Sequence, residues 1–150
     1  MLGESISIAD AQEVDFVVLP NGNGLPKGLG DVDTGKQLFN IHCMACHGEN
    51  AQGGINGDLV GGHGTINGPL PIKTVGSYWP YATILFDYIR RAMPYQTPGS
   101  LKNDDIYALT AYILFLNNII GEQDIMNAKT LVKVEMPNRD NFVWAYKKRE

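Results

Sequence analysis

Apolar residues recur at helical spacing in three stretches of this chain, and polar, Gly- and Pro-rich runs separate them. The strongest stretch, NDDIYALTAYILFLNN at 103–118, predicts a helix capped by Asn103. Asp104 and Asp105 suit the positive end of its dipole, and residues 118–121 end it. YATILFDYIRRAM at 81–93 predicts another helix: Ile84, Leu85, Tyr88 and Ile89 share the spacing, and Pro94 closes it. A further helix is expected from Thr34, an N-cap whose capping box is completed by Gln37. Leu38 and Ile41 form its short apolar stripe, and it runs into residues 42–47. A short helix is also expected at 124–131. The class is all-α with long loops.

Two segments resist any periodic reading. PNGNGLPKGLG at 20–30 is a loop of turn formers, and residues 1–33 read as an extended arm. Its short apolar run, Phe16-Val17-Val18-Leu19, reads as part of a surface-draped tail ahead of docking on the core or on a partner. Residues 48–76 support no regular element, and so long a loop fits a compact domain only if it wraps a cofactor that completes the core. The expected organisation is an arm over 1–33, a domain over 34–118, and an extension over 119–150 that packs on the domain or on a partner.

Composition narrows the function. The chain has 150 residues, 44% of them hydrophobic and 19% charged, which suits one ordered domain. Its net charge of −4 argues against nucleic-acid binding, which wants a clustered basic face. The longest apolar stretch, 106–116, is interrupted by Thr110 and two Tyr and falls short of the ~20 residues of a membrane span. The first residues, MLGESISIAD, lack the basic and apolar regions of a secretory signal. With 2 Cys there is no disulfide scaffold, and 17 Gly is a surplus that falls largely in the 48–76 loop.

Those two Cys stand in Cys43-Met44-Ala45-Cys46-His47, a C-x-x-C-H motif that attaches c-type haem. Two Cys three positions apart can form thioethers to one haem edge, and the His that follows is placed as proximal iron ligand. A thioredoxin-like pair would need a βαβ setting, and a zinc site would need more ligands than the downstream His63 supplies. The second axial ligand is to be found among Met93, Met126, Met136, His63 and His42. Met93 is favoured: it precedes Pro94 and lies on an irregular segment before the terminal helix. Met126 reads as packing, His63 as an exposed loop residue and His42 as exposed or locally bonded.

At these residues the chain resembles the class I cytochrome c fold. Gly35 and Phe39 match its first-helix pattern, and Tyr112 matches the aromatic of its last helix. A narrower resemblance spans about 74–142. It is to the cytochrome subunits of molybdenum sulfite-oxidase-type dehydrogenases, among them sulfane dehydrogenase and sulfite:cytochrome c oxidoreductase. The sulfane dehydrogenase subunit carries two haem motifs and this chain one, which favours a monohaem relative or one domain of a larger protein.

The resemblance implies haem c held by Cys43 and Cys46, with iron ligated by His47 and Met93. It makes Tyr78, Trp79, Arg90 and Arg91 candidates for holding the propionates, and it places a carbonyl near Pro69 or Pro71 on the second nitrogen of His47. It further implies one-electron transfer with no catalysis by this chain alone, and a periplasmic setting. Electrons would come from a molybdenum cofactor subunit oxidising sulfite or sulfane sulfur and leave to another cytochrome c or an oxidase. The alternative is a free-standing electron shuttle. The acidic start of the chain and the Lys147, Lys148, Arg149 cluster at its end would guide docking by charge.

Overall fold

The computed structural model of the chain describes residues 3–14, 17–143 and 145. In chain order its elements are α1 (Ile8–Val14), β1 (Leu29–Asp31), α2 (Val32–His42), α3 (Met44–His47), α4 (Val75–Tyr78), α5 (Ala82–Ala92), α6 (Asn103–Leu116) and β2 (Ile125–Asn127). Single 3₁₀ turns stand at Glu49–Ala51, Leu131–Lys133 and Arg139–Asn141. The chain is therefore mostly helical, with one small antiparallel pair in which Gly30 faces Met126.

Helix α6 is the axis of the fold. Its residues from Ile106 to Leu114 are all buried, as an apolar helix enclosed on every side must be. Helix α2 crosses it at Gly35, where a Cβ would fall 2.0 Å from the Ala108 carbonyl oxygen. Only glycine permits that approach. One turn further along, the Phe39 and Tyr112 rings meet with centroids 5.5 Å apart, tilted by 59°.

Several local expectations need correction. Helix α2 begins at Val32, not Thr34, because the Asp31 carboxylate accepts the Thr34 N–H at 2.7 Å and takes the N-cap role. Helix α6 is preceded by Lys102 at its N-cap, and its first turn is closed by Asp105, which accepts the Lys102 N–H at 3.1 Å. The expected helix at 124–131 is instead strand β2 followed by a 3₁₀ turn. Its pairing with β1, a segment remote in sequence, overrides the local pattern.

Segments on either side of the helical body are tied to it. The buried Asp87 carboxylate of α5 accepts the Val18 N–H at 3.2 Å, and Asp104 accepts the Leu29 N–H at 2.8 Å. The Tyr107 hydroxyl donates to the Pro26 carbonyl at 2.9 Å. From Val18 onward the expected arm is thus attached to the α5 and α6 side of the body; Phe16 lies outside the described residues. At the other end Met126, Leu131 and Met136 are buried, and Asn138 donates to the Tyr78 carbonyl at 2.8 Å. The basic Lys147–Lys148–Arg149 cluster is outside the described residues. Among those described, no helix is long and apolar enough to cross a membrane.

Candidate cofactor site

The C-x-x-C-H segment interrupts a helix rather than continuing one. Cys43 leaves helical geometry while its N–H still donates to Phe39 at 2.8 Å. One new turn, α3, then carries Cys46 and His47, with the His47 N–H donating to the Cys43 carbonyl at 3.0 Å. The glycine-rich loop that follows folds straight back onto this turn. The Asn56 N–H donates to the Cys46 carbonyl at 3.0 Å, and a Cβ on Gly54 would lie 2.2 Å from that same oxygen. Glycine at 54 is what lets the loop close.

That closure presents the Gly57 carbonyl to His47 Nδ1 at 3.3 Å. A carbonyl only accepts, so Nδ1 carries the hydrogen and Nε2 keeps its lone pair for a metal. This is the orienting bond expected near Pro69 or Pro71. The structure supplies it from Gly57 instead, because the returning loop reaches His47 ten residues on, long before the prolines.

Beside α3 lies a cavity of about 480 Å³, lined by Cys43, Cys46, His47, Trp79 and Met93 together with apolar side chains of the helices. Leu85, Tyr88 and Ile89 come from α5, Leu109 and Ile113 from α6, and Val75 from α4. The size falls within the roughly 300–1,000 Å³ of cofactor pockets. Met93 caps the C-terminus of α5, with its N–H donating to Ile89 at 3.1 Å. The other sulfur candidates are elsewhere: Met126 and Met136 are each 3% exposed in the core and outside the cavity lining. His63 packs against Gly76 at α4 and does not line the cavity. His42 does line it, on the exposed side.

The donor set fits a covalently held haem. Two thiols, an imidazole with a free Nε2 and a thioether meet in a cavity whose remaining walls are largely apolar. Burial, with Cys46 adding to it, pushes the Cys43 thiol up to about 11. A thiol held protonated at neutral pH is unlike the low-pKa thiolate of a redox pair. Among the described residues no group of three or more His, Cys, Asp or Glu is placed to hold a metal ion.

The expected propionate holders are split. Trp79 lines the cavity, its ring edge-on to Tyr88 with centroids 5.8 Å apart. Tyr78 does not line it; its ring meets Phe142 at 5.6 Å, and Lys73 Nζ lies 5.1 Å from the ring centroid. Arg91 pairs with Asp87, one helical turn back, and neither it nor Arg90 is in the lining. Tyr88 and Gln96 also stand in the lining, beyond the residues the motif and the resemblance point to. For Tyr88 the signal was present: Leu85, Tyr88, Ile89 and Met93 fall on one face of α5.

Comparison with known proteins supplies the relatives. Residues 30–113 match the family described as cytochrome C oxidase, cbb3-type, subunit III. A thiosulfate dehydrogenase of Psychrobacter arcticus is 27% identical over 110 residues, which is 71% of this chain and 33% of that protein. The chain thus spans about one third of the length of that curated relative. A chain of the sulfane dehydrogenase SoxCD from Paracoccus pantotrophus superposes with a TM-score of 0.88 at 37% identity, over 98% of this chain and 72% of that one.

Proposed function

This chain belongs to the cytochrome c family, and we propose that it is the electron-accepting haem domain of a sulfur-compound dehydrogenase. Its cofactor is haem c, to which the C-x-x-C-H motif and the family both point. The observation that carries the reading is that one apolar cavity brings Cys43, Cys46, His47 and Met93 together. In it the two Cys would hold the haem edge and His47 and Met93 the iron. When bound, the haem supplies a one-electron couple between ferric and ferrous iron.

The chain's own residues then set the conditions. Gly57 fixes the His47 ring through Nδ1, which raises the basicity of the ligating nitrogen. Helix α5 holds Met93 at its end. Leu85, Ile89, Leu109 and Ile113 give the site apolar walls, which would favour the less charged state of a bound haem iron. Trp79 and Tyr88 offer an indole N–H and a hydroxyl as donors for the propionates. With His47 and Met93 both holding the iron, no position on it would be left for a substrate, and the chain's part would be electron transfer.

The donor is the molybdenum-containing subunit implied by the resemblance, oxidising sulfane sulfur or a related sulfur compound; the acceptor is a further cytochrome c or an oxidase. The setting is periplasmic, where covalent haem attachment takes place. Two relatives named for sulfur-compound dehydrogenation support this assignment. The test is reduction of the holoprotein by thiosulfate or a sulfane-sulfur carrier, with and without the dehydrogenase subunit. Reduction only when the subunit is present is expected. Reduction at the same rate by unrelated donors, and none through the subunit, would instead make the chain a general shuttle.

A further inference from the structure

The turn that carries Gly57 is shaped by bonds within its own loop. The Gly53 N–H donates to the Asp58 carboxylate at 2.7 Å, the Leu59 N–H to the Ala51 carbonyl at 2.9 Å, and Gln52 Nε2 to the Val60 carbonyl at 3.1 Å. These bonds give the turn its form but do not place it against the helices. On one side of Gly57 the Asn56 N–H holds the turn to the Cys46 carbonyl of α3. On the other side the anchor is Asn117.

Asn117 stands at the C-cap of α6 and is 1% exposed. Its Nδ2 donates to the Leu59 carbonyl at 3.2 Å and to the Ile113 carbonyl at 2.9 Å, and its Oδ1 accepts the Gly61 N–H at 3.3 Å. The end of the helix does not need this amide, because the Asn117 N–H already donates to Ile113 at 3.2 Å. One side chain thus grips an acceptor and a donor two residues apart, which fixes both the position and the direction of that stretch. Helix α4 closes over the grip: a Cβ on Gly76 would fall 2.2 Å from Asn117 Oδ1. Asn117 is not in the cavity lining, yet both residues whose carbonyls it holds, Leu59 and Ile113, are.

We propose that Asn117 is a positioning residue for the proximal ligand: it clamps residues 59–61 to α6 and thereby keeps the Gly57 carbonyl on His47 Nδ1. This rests on the reading of His47 as a haem ligand and extends it to the residue that sets the ligand's basicity. A more basic imidazole favours the ferric ion, which carries the greater charge, so the clamp holds the reduction potential down.

The test is a spectroelectrochemical titration of the holoprotein and of Asn117→Ala, with exchange of the His47 Nδ1 hydrogen followed by nuclear magnetic resonance in the ferrous form. In the variant the ferrous-to-ferric ratio at a fixed ambient potential is expected to rise about tenfold, a shift of about 59 mV for one electron. The Nδ1 hydrogen is expected to exchange at least about tenfold faster, as a locally opened segment does. Met136→Ala, buried and outside the lining, is the control for lost stability and is expected to leave the potential where it was.

An unmoved potential and unchanged exchange in Asn117→Ala, or an equal shift in Met136→Ala, would overturn the inference. Should Asn117→Ala take up no haem, the unaltered holoprotein decides. There the Gly61 amide and the His47 Nδ1 hydrogen are expected to be protected to within about threefold of each other, because one opening exposes both. An Nδ1 hydrogen exchanging about a hundredfold faster than the Gly61 amide would show the ring bond to be independent of the clamp. Absence of covalent haem from the unaltered protein would instead defeat the cofactor reading beneath the inference.

Discussion

Met93 and Met136 are each followed by proline, yet the fold gives them opposite tasks. Met93 ends α5 in the cavity; Met136 is 3% exposed, in the core and outside the cavity lining. Met93→Ala is expected to remove the long-wavelength absorption of methionine-ligated ferric haem and lower the potential. Met136→Ala is expected to keep both and to cost about 2–5 kcal/mol of stability, as a buried truncation does. Spectra and denaturant curves of the two variants check the assignment, and an unchanged spectrum in Met93→Ala would refute it. Tyr107 gives a pH signature. Burial pushes its phenol up to about 12 from 10.0, with Arg90 pulling slightly the other way. The unfolded chain therefore loses this proton first. The stability is intact below pH of about 10 and is lost as pH rises to about 12. Burial also raises Tyr112, with Glu49 adding to it, so the two act in the same direction. Tyr107→Phe is expected to flatten the fall in urea midpoint over that range; an unaltered slope would contradict the role given to burial.

At the level of elements, the crossing of α2 and α6 is the contact on which the others are built. Gly35→Ala places a methyl 2.0 Å from the Ala108 carbonyl oxygen, which is backbone and cannot swing aside. Overpacking of this kind costs about 1–3 kcal/mol, and a lowered denaturant midpoint with the haem spectrum retained is the expected result. Elements of this size differ in how far the sequence announces them. Helices α5 and α6 repeat their apolar positions over several turns, so their ranges were readable to within a residue or two. The start of α2 is ambiguous in the sequence because Asp31 and Thr34, three residues apart, are both good caps, and only the folded backbone shows that Asp31 accepts the bond. The pairing of β1 with β2 could not be read at all. Each strand is three residues long and finds its partner across most of the chain, so no local period records it. The same holds inside the site. C-x-x-C-H is a local word and was legible. The Gly57 carbonyl on His47 is made by a loop whose sequence is mostly glycine and polar residues, and that carries no positional signal.

For the whole molecule, the cavity is the consequence of arranging helices around something other than side chains. Leu85, Ile89, Leu109 and Ile113, members of the one core cluster, line it. Close-packed interiors do not keep voids of this size for themselves. The haem therefore belongs to the core, and its loss should be felt by the entire chain. Replacing both Cys43 and Cys46 by Ala is expected to give a chain without covalent haem whose near-ultraviolet dichroism and cooperative unfolding are lost. A variant that still unfolds cooperatively at the original midpoint would show that the helices hold without the cofactor. The loop over 48–76 then has a structural purpose, because its first part closes on α3 and orients His47. The measurement that bears most directly on the central claim is a spectroelectrochemical titration of the holoprotein. A single one-electron wave is expected, with the Met-ligated absorption present in the oxidised form and no spectral change on adding an external iron ligand. A two-electron wave, or ready binding of the external ligand, would contradict a closed His47/Met93 electron-transfer site.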